Sequence, residues 1–212
     1  MKSMPKIFLF LVLPASMQLH AQSKPADRDL SAFTWEIGVP ASNKYLDKVS
    51  YSGWRFEYRK GIKSNLSVGI AMSWNSFNEY VPTKTYMSAN QTKAITSDMI
   101  RQVYSLPITL IAHYYANTNS KMVQPYFGIG LGAQYLQNNS YLNIYTFQET
   151  NWGFVARPEV GSLFTFSKNS PVKALLALGL NVSTNKNEFF DLKGWDYVSI
   201  NVGIGVGVDK FY

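Results

Sequence analysis

Hydrophobic and polar residues alternate with a period of two over most of this chain. In VSINVGIGVGVDKFY, Val198 to Tyr212, one side carries Val198, Ile200, Val202, Ile204, Val206 and Val208. The other carries Ser199, Asn201, Gly203, Gly205, Gly207 and Asp209. Successive side chains of a strand point to opposite faces, so this spacing predicts a β-strand with one apolar wall and one small, polar wall. The same design recurs over Ala32–Val39, Tyr51–Lys60, Asn65–Phe77, Met99–Tyr115, Val123–Gln137, Asn151–Phe166 and Val172–Thr184, which makes eight predicted strands. Pro107 has no N–H to donate and predicts a bulge or a break in pairing. Helical periodicity of useful length is absent from the mature chain.

The connections alternate in length. Pro40–Ser50, Asn78–Ser97, Asn138–Thr150 and Asn185–Gly194 read as long loops, whereas Gly61–Ser64, Ala116–Lys121 and Ser167–Pro171 read as short turns. An even number of strands with loops long at one end and short at the other predicts an all-β fold, an eight-stranded antiparallel up-and-down transmembrane β-barrel. Its long loops would lie outside the cell and both termini in the periplasm.

The first residues sharpen the location. Lys2 and Lys6 precede an apolar run, Ile7–Leu13, which Pro14 ends, and Ala21 is a small residue before Gln22. This is the layout of a cleaved secretory signal over 1–21, too short to span a bilayer as a helix. Residues 22–31 then read as a periplasmic lead-in, and 32–212 as the barrel domain.

Composition decides which wall faces inward. Charged residues make up only 16% of the chain and aromatic residues 15%, against about 25% charged for an ordinary soluble domain. The polar wall is rich in Gly, Ser and Ala, which suits a narrow lumen. The apolar wall is bulky, with aromatics towards the strand ends: Phe33, Tyr58, Tyr114, Phe164 and Tyr212 low, Trp74, Tyr104, Tyr135 and Trp152 high. Two such girdles fit a lipid-facing band. A soluble, ligand-enclosing barrel would turn the apolar wall inward instead. With no Cys, disulfides and thiolate metal sites are excluded. The net charge of +7, to which Lys2 and Lys6 contribute, is scattered without a run, so nucleic acid is not an expected partner. Outer-membrane lipid and lipopolysaccharide are the natural neighbours.

Three stretches carry a family likeness. PYFGIGLGAQY (Pro125 to Tyr135), YSLPITLIAHYY (Tyr104 to Tyr115) and the Phe211-Tyr212 end resemble the small eight-stranded outer-membrane barrels, among them the transmembrane domain of outer-membrane protein A and its short relatives. The resemblance covers nearly all of the mature chain. It implies that Phe211 and Tyr212 form an insertion signal read by the barrel-insertion machinery. For activity it is unspecific, because relatives include adhesins, structural barrels and parts of secretion systems.

Chemistry-bearing residues concentrate on the predicted lumen wall: Glu36, Arg55, Glu57, Arg59, Arg101, Arg157, Glu159, Lys173 and Asp209. Counted from the short turns, Glu36, Glu57, Arg59, Lys173 and Asp209 should share one level, with Arg55, Arg157 and Glu159 higher and Arg59 and Lys173 as partners of Asp209. Charges buried in so narrow a lumen must pair, so the expectation is a salt-bridged plug. A gated pore is the alternative. His113 faces the lumen near a short turn and reads as a hydrogen-bonding group. No catalytic constellation, cofactor site or metal-ligand spacing is expected. The glycine stripes, repeating every second residue within strands, lack the strand-to-helix turn of a nucleotide loop. Loops 78–97 and 185–194 are where an extracellular or envelope partner would bind. The sequence therefore points to a non-enzymatic integral outer-membrane barrel with a structural or surface-interaction role. Its alternatives are a narrow pore for ions or very small solutes, or an accessory barrel of a protein-export system.

Overall fold

A computed structural model describes residues 28–41, 45–87, 94–116, 122–143, 145–167, 170–186 and 194–209. Eight strands follow one another: β1 (Arg28–Ala41), β2 (Ser50–Lys63), β3 (Leu66–Met87), β4 (Ala94–Tyr115), β5 (Val123–Leu142), β6 (Tyr145–Thr165), β7 (Val172–Ser183) and β8 (Asp196–Asp209). Each pairs with the next, and β1 pairs with β8 from Arg28↔Asp209 to Ala41↔Asp196, so the sheet closes into a barrel. Closure leaves no sheet edge at the level of the ring. Among the described residues there is no helix.

Burial assigns the two walls. Phe33, Leu110, Phe127, Leu178 and Ile204 on the apolar side are 55%, 71%, 54%, 51% and 59% exposed, while Glu36, Arg59, Gln134 and Ser199 on the other are 0% exposed. The apolar wall is thus the outside, as its bulk predicts. An upper aromatic belt runs Trp35↔Trp54↔Trp74 and Tyr135↔Trp152, with Trp74 stacked on Tyr104. Lower down lie Tyr58, the pair Tyr114↔Phe127, and Phe164. Phe33, expected in the lower belt, instead pairs with Phe56 and stacks on Trp54, between the two. From Phe127 to Tyr135, at ~3.3 Å per residue and a tilt of ~40°, the band is roughly 20 Å tall, close to a bilayer's apolar span.

The strand ends differ from expectation at both ends of the barrel. β1 starts at Arg28 rather than Ala32. The expected loop 78–97 is largely strand, β3 continuing to Met87 and β4 starting at Ala94, and the loop 138–150 is a tight hairpin with Leu142 paired to Tyr145. The β3–β4 and β5–β6 extensions stand above the belt, where Val81 and Leu142 are buried on one face and polar residues interrupt the other, so no continuous apolar wall marks them. Their ladders and cross-strand contacts such as Thr85–Thr96 (2.9 Å) carry them. The first short turn is tighter than expected, β2 running through Gly61 to Lys63 and Lys63↔Leu66 closing it, while the other two expected turns lie in part outside the described residues. At Pro107 the β3–β4 ladder skips from Met72↔Ile108 to Asn75↔Ser105 with its register unchanged, a break rather than a bulge.

The hairpin joining β5 to β6 turns on two residues, and Asn143 takes a positive φ of 53°. Primed two-residue turns need that conformation, which Asn tolerates and β-branched residues resist. Asn143→Val is expected to destabilise the folded barrel by about 1–2 kcal/mol, and Asn143→Gly to leave it nearly unchanged. Urea midpoints in lipid vesicles check this.

Candidate functional site

The lumen is layered. At the short-turn end Leu30, Ala32, Tyr115, Tyr126, Leu163, Leu175 and Ala177 pack into an apolar cluster. At the long-loop end Tyr45, Leu46, Phe77, Val103, Leu136, Trp195 and Tyr197 form another, with Phe77 edge-on to Trp195 and Tyr197 at 5.1 and 5.3 Å. Their strand members, such as Leu30, Leu163, Phe77 and Val103, occupy the wall that the sequence marks as small and polar, and Tyr45 and Leu46 reach in from the β1–β2 connection. Charges lie between the two clusters.

That middle layer joins opposite sides of the ring. β2 supplies Arg55, Glu57 and Arg59, and β6 supplies Arg157 and Glu159. Strand alternation turns all five inward because they are two residues apart. Arg59 Nη2 donates to Glu57 Oε1 (2.7 Å) and stands 3.6 Å from Glu159 Oε1. Arg55 Nε lies 3.4 Å from Glu57 Oε2, and Arg55 Nη2 lies 3.9 Å from Glu159 Oε2. Arg157 Nε donates to Glu159 Oε2 (3.2 Å) and Nη1 to Glu36 Oε2 of β1 (2.9 Å). Neutral groups complete it. Tyr126 donates to Glu159 (3.0 Å) and lies beneath the Arg59 guanidinium at 4.4 Å, while Tyr197 donates to Glu36 (3.2 Å). Three arginines thus face three glutamates, each side chain at most 4% exposed.

Space for these groups comes from the facing glycines. A Cβ on Gly128 would run into the His113 ring, and one on Gly179 would stand 3.0 Å from Arg157 Nε. The stripes are lumen clearance, with particular large neighbours.

The nine charges named from the sequence do not form one group. Glu36, Arg55, Glu57, Arg59, Arg157 and Glu159 are joined by ion pairs into one network, but not at the expected levels: Glu36, opposite Gly53, stands at its upper end and Arg59, opposite Leu30, at its lower. Arg101 stands apart near the mouth at the long-loop end. Its Nη1 donates to the Tyr45 carbonyl (2.9 Å) and its guanidinium lies 4.8 Å from the Tyr45 ring, clamping the β1–β2 connection into the mouth. Lys173 is buried lower, with its chain against Gly207. The side chain of Asp209, with Phe211 and Tyr212, lies outside the described residues. Sequence reasoning passed over Tyr115, Tyr126 and Tyr197. The signal was parity, since each sits on the polar side of its strand.

His113 is buried on the lumen wall and reaches a carboxylate, the place expected of a hydrogen-bonding group. Its Nε2 is 3.5 Å from Glu159 Oε1, and ligand atoms of Glu57, His113 and Glu159 lie within 4.8 Å of one another, a cluster that no linear spacing announces. The donor set nevertheless suits a cation poorly. Both carboxylates already face guanidinium groups, so an added ion would meet Arg55, Arg59 and Arg157 at short range. The arrangement is chemically an ionic lock.

Removing one member leaves its partners buried and uncompensated, at a cost of about 3–5 kcal/mol. Arg157→Met is expected to lower stability by that amount, and Glu36→Gln combined with Arg157→Met to recover part of it. Denaturant titration of the single and double variants reads the difference.

A protein-family model described as OmpW family matches residues 32–197. No curated protein matches the chain in sequence. Among solved structures the fold is similar to that of Neisserial surface protein A, NspA, at 16% identity and a TM-score of 0.51, covering 89% of this chain and 100% of that one. It is also similar to the outer-membrane protease OmpT of Escherichia coli, at 7% identity and 0.50, covering 89% and 99%. The outer-membrane protein OprG of Pseudomonas aeruginosa aligns at 13% identity and 0.48, covering 89% and 99%. At these identities the likeness is one of fold.

Proposed function

The chain belongs to the OmpW family, and on that premise we propose that this outer-membrane barrel has a closed lumen and acts at the cell surface through its long hairpins, without enzymatic activity. The observation that carries the reading is the ionic layer. Six charged side chains bridge β1, β2 and β6 with 0–4% exposure, between two apolar clusters. A hydrated ion would have to break several buried pairs to pass. The segment His113 occupies is inside the wall, whereas a hydrolytic His would need substrate access at the rim. The exported, signal-cleaved chain then has hairpins β3–β4 and β5–β6 outside and both termini in the periplasm.

Planar-bilayer recording in high salt tests closure. The parent barrel is expected to show no conductance steps, and the triple variant Glu36→Gln, Glu57→Gln, Glu159→Gln to flicker open. Steady steps from the parent would sink the reading in favour of the narrow pore.

A second reading has its own support. The upper lumen holds an apolar cluster into which Leu46 (1% exposed) folds from the β1–β2 connection, and the adjoining wall is where the β3–β4 ladder lapses at Pro107. A small apolar solute could replace Leu46 there, while the charged layer blocks further descent. Leu46→Ala should then raise retention of a medium-chain alcohol, measured by calorimetry in detergent. Equal heats from the variant and the parent would dismiss this reading.

A further inference from the structure

Above the aromatic belt, the outer face of the tall hairpins carries a second apolar row. Tyr80 pairs with Ile100, and Ile100 with Tyr141, so three adjacent strands present the three side chains side by side at 53%, 48% and 38% exposure. Tyr80 lies six residues beyond Trp74 on β3. At ~3.3 Å per residue and a tilt of ~40°, the row stands roughly 15 Å above the belt. Polar positions intervene. The row directly beneath is Asn78↔Gln102↔Asn139↔Gln148, with Asn78 and Gln148 exposed. An acyl chain reaching the apolar row would cross these amides, so the row is no extension of the lipid belt.

Its chemistry is specific in kind. Two tyrosine rings offer electron-rich faces to C–H groups, and amides beside them offer both donors and acceptors. The Tyr80 hydroxyl donates to Asp98, whose charge raises the Tyr80 pKa above the ordinary phenol value. The patch is too small for a stable protein interface, which needs about 800 Å² per partner. Three strands ~4.8 Å apart make the row about 10 Å long, the span of one or two sugar rings. We propose that the Tyr80–Ile100–Tyr141 row, with Asn78, Gln102 and Gln148 beneath it, binds the core sugars of lipopolysaccharide in the same membrane. The height favours this source, since sugars attached to the outer leaflet begin just above the aromatic belt. The inference rests on the orientation proposed above, with the hairpins outside.

The test reconstitutes the full-length barrel in nanodiscs containing either lipopolysaccharide with its complete core or a deep-rough form lacking the outer core sugars. Retained glycolipid is measured by mass spectrometry after detergent exchange. The parent is expected to hold the complete form about tenfold better, a difference of ~1.4 kcal/mol. Tyr80→Ser with Tyr141→Ser should abolish that preference, with retention of the deep-rough form unchanged. A heat-dependent gel shift verifies that the variant is folded, and Ile100→Ser serves as a second, milder variant. Equal retention of both forms by the parent overturns the proposal. So does an unchanged preference in the folded variants. Equal competition by free neutral glycans and by released core oligosaccharide overturns the assigned source, and a parent dimer that the variants dissolve assigns the row to a second copy instead. Thr85→Cys labelled on intact cells by an impermeant maleimide tests orientation separately. Failure to label removes the premise, whatever the glycolipid result.

Discussion

Ion pairing across the lumen between β2 and β6 is the constraint on which the interior depends. In a ring of eight, these strands stand opposite, and Arg59–Glu159 and Arg55–Glu159 span the gap between them. A slip of one residue in either strand's register would turn its charges into lipid, where each costs several kcal/mol. Register is weakly specified wherever a strand is small on one side and uniformly apolar on the other. Here the charges supply the specification that the repeated Val, Ile and Leu of the outer wall cannot.

An apolar filling would hold a narrow lumen together at least as well as buried ions, because desolvation offsets most of the Coulombic gain. The apolar clusters above and below do that holding. They also lower the local dielectric, so every pair between them must be satisfied. Tyr126 and Tyr197 serve this end, each donating to a carboxylate from a strand that contributes no charge to the layer. Gly128 and Gly179 serve it sterically, giving way to His113 and Arg157. Charge, phenol and glycine form one unit, and a change in one is felt by the others.

Alternation made the eight strands, their order and the outward wall legible, because lipid and lumen impose opposite demands on neighbouring residues. It could not report height. Leu30, Phe77 and Leu163 share the parity of Glu36 and Arg157 yet lie in different layers, and only the stagger of the closed ring says which. Arg101 illustrates the error this produces. Its parity placed it with the lumen charges, but β4 starts far above the belt, and the residue ends at the mouth holding Tyr45. The cluster of Glu57, His113 and Glu159 was invisible for the same reason, since it joins three strands distant in sequence.

Beyond the belt the barrel is asymmetric. β2 leaves β3 at Trp54↔Trp74, and β7 leaves β6 at Val155↔Ser183, so β3 to β6 continue upward as a four-stranded wall with two open edges. Open edges invite pairing, and both are blunted. Pro82 and the irregularity between Val81 and Lys84 interrupt β3, and the Asp47 N–H donates to Glu79 below them. On β6, Asn185 donates to Asn151 (2.7 Å) and Asn151 to the Lys186 carbonyl (2.7 Å), which occupies that edge with the β7–β8 connection. Neither lipid nor lumen dictates the side chains on this wall's outer face. An exposed Tyr–Ile–Tyr row there suits the ladder by propensity and cross-strand packing, which accounts for the residue types but not for their standing together as one exposed row. Its explanation has to be sought in what meets that face from outside.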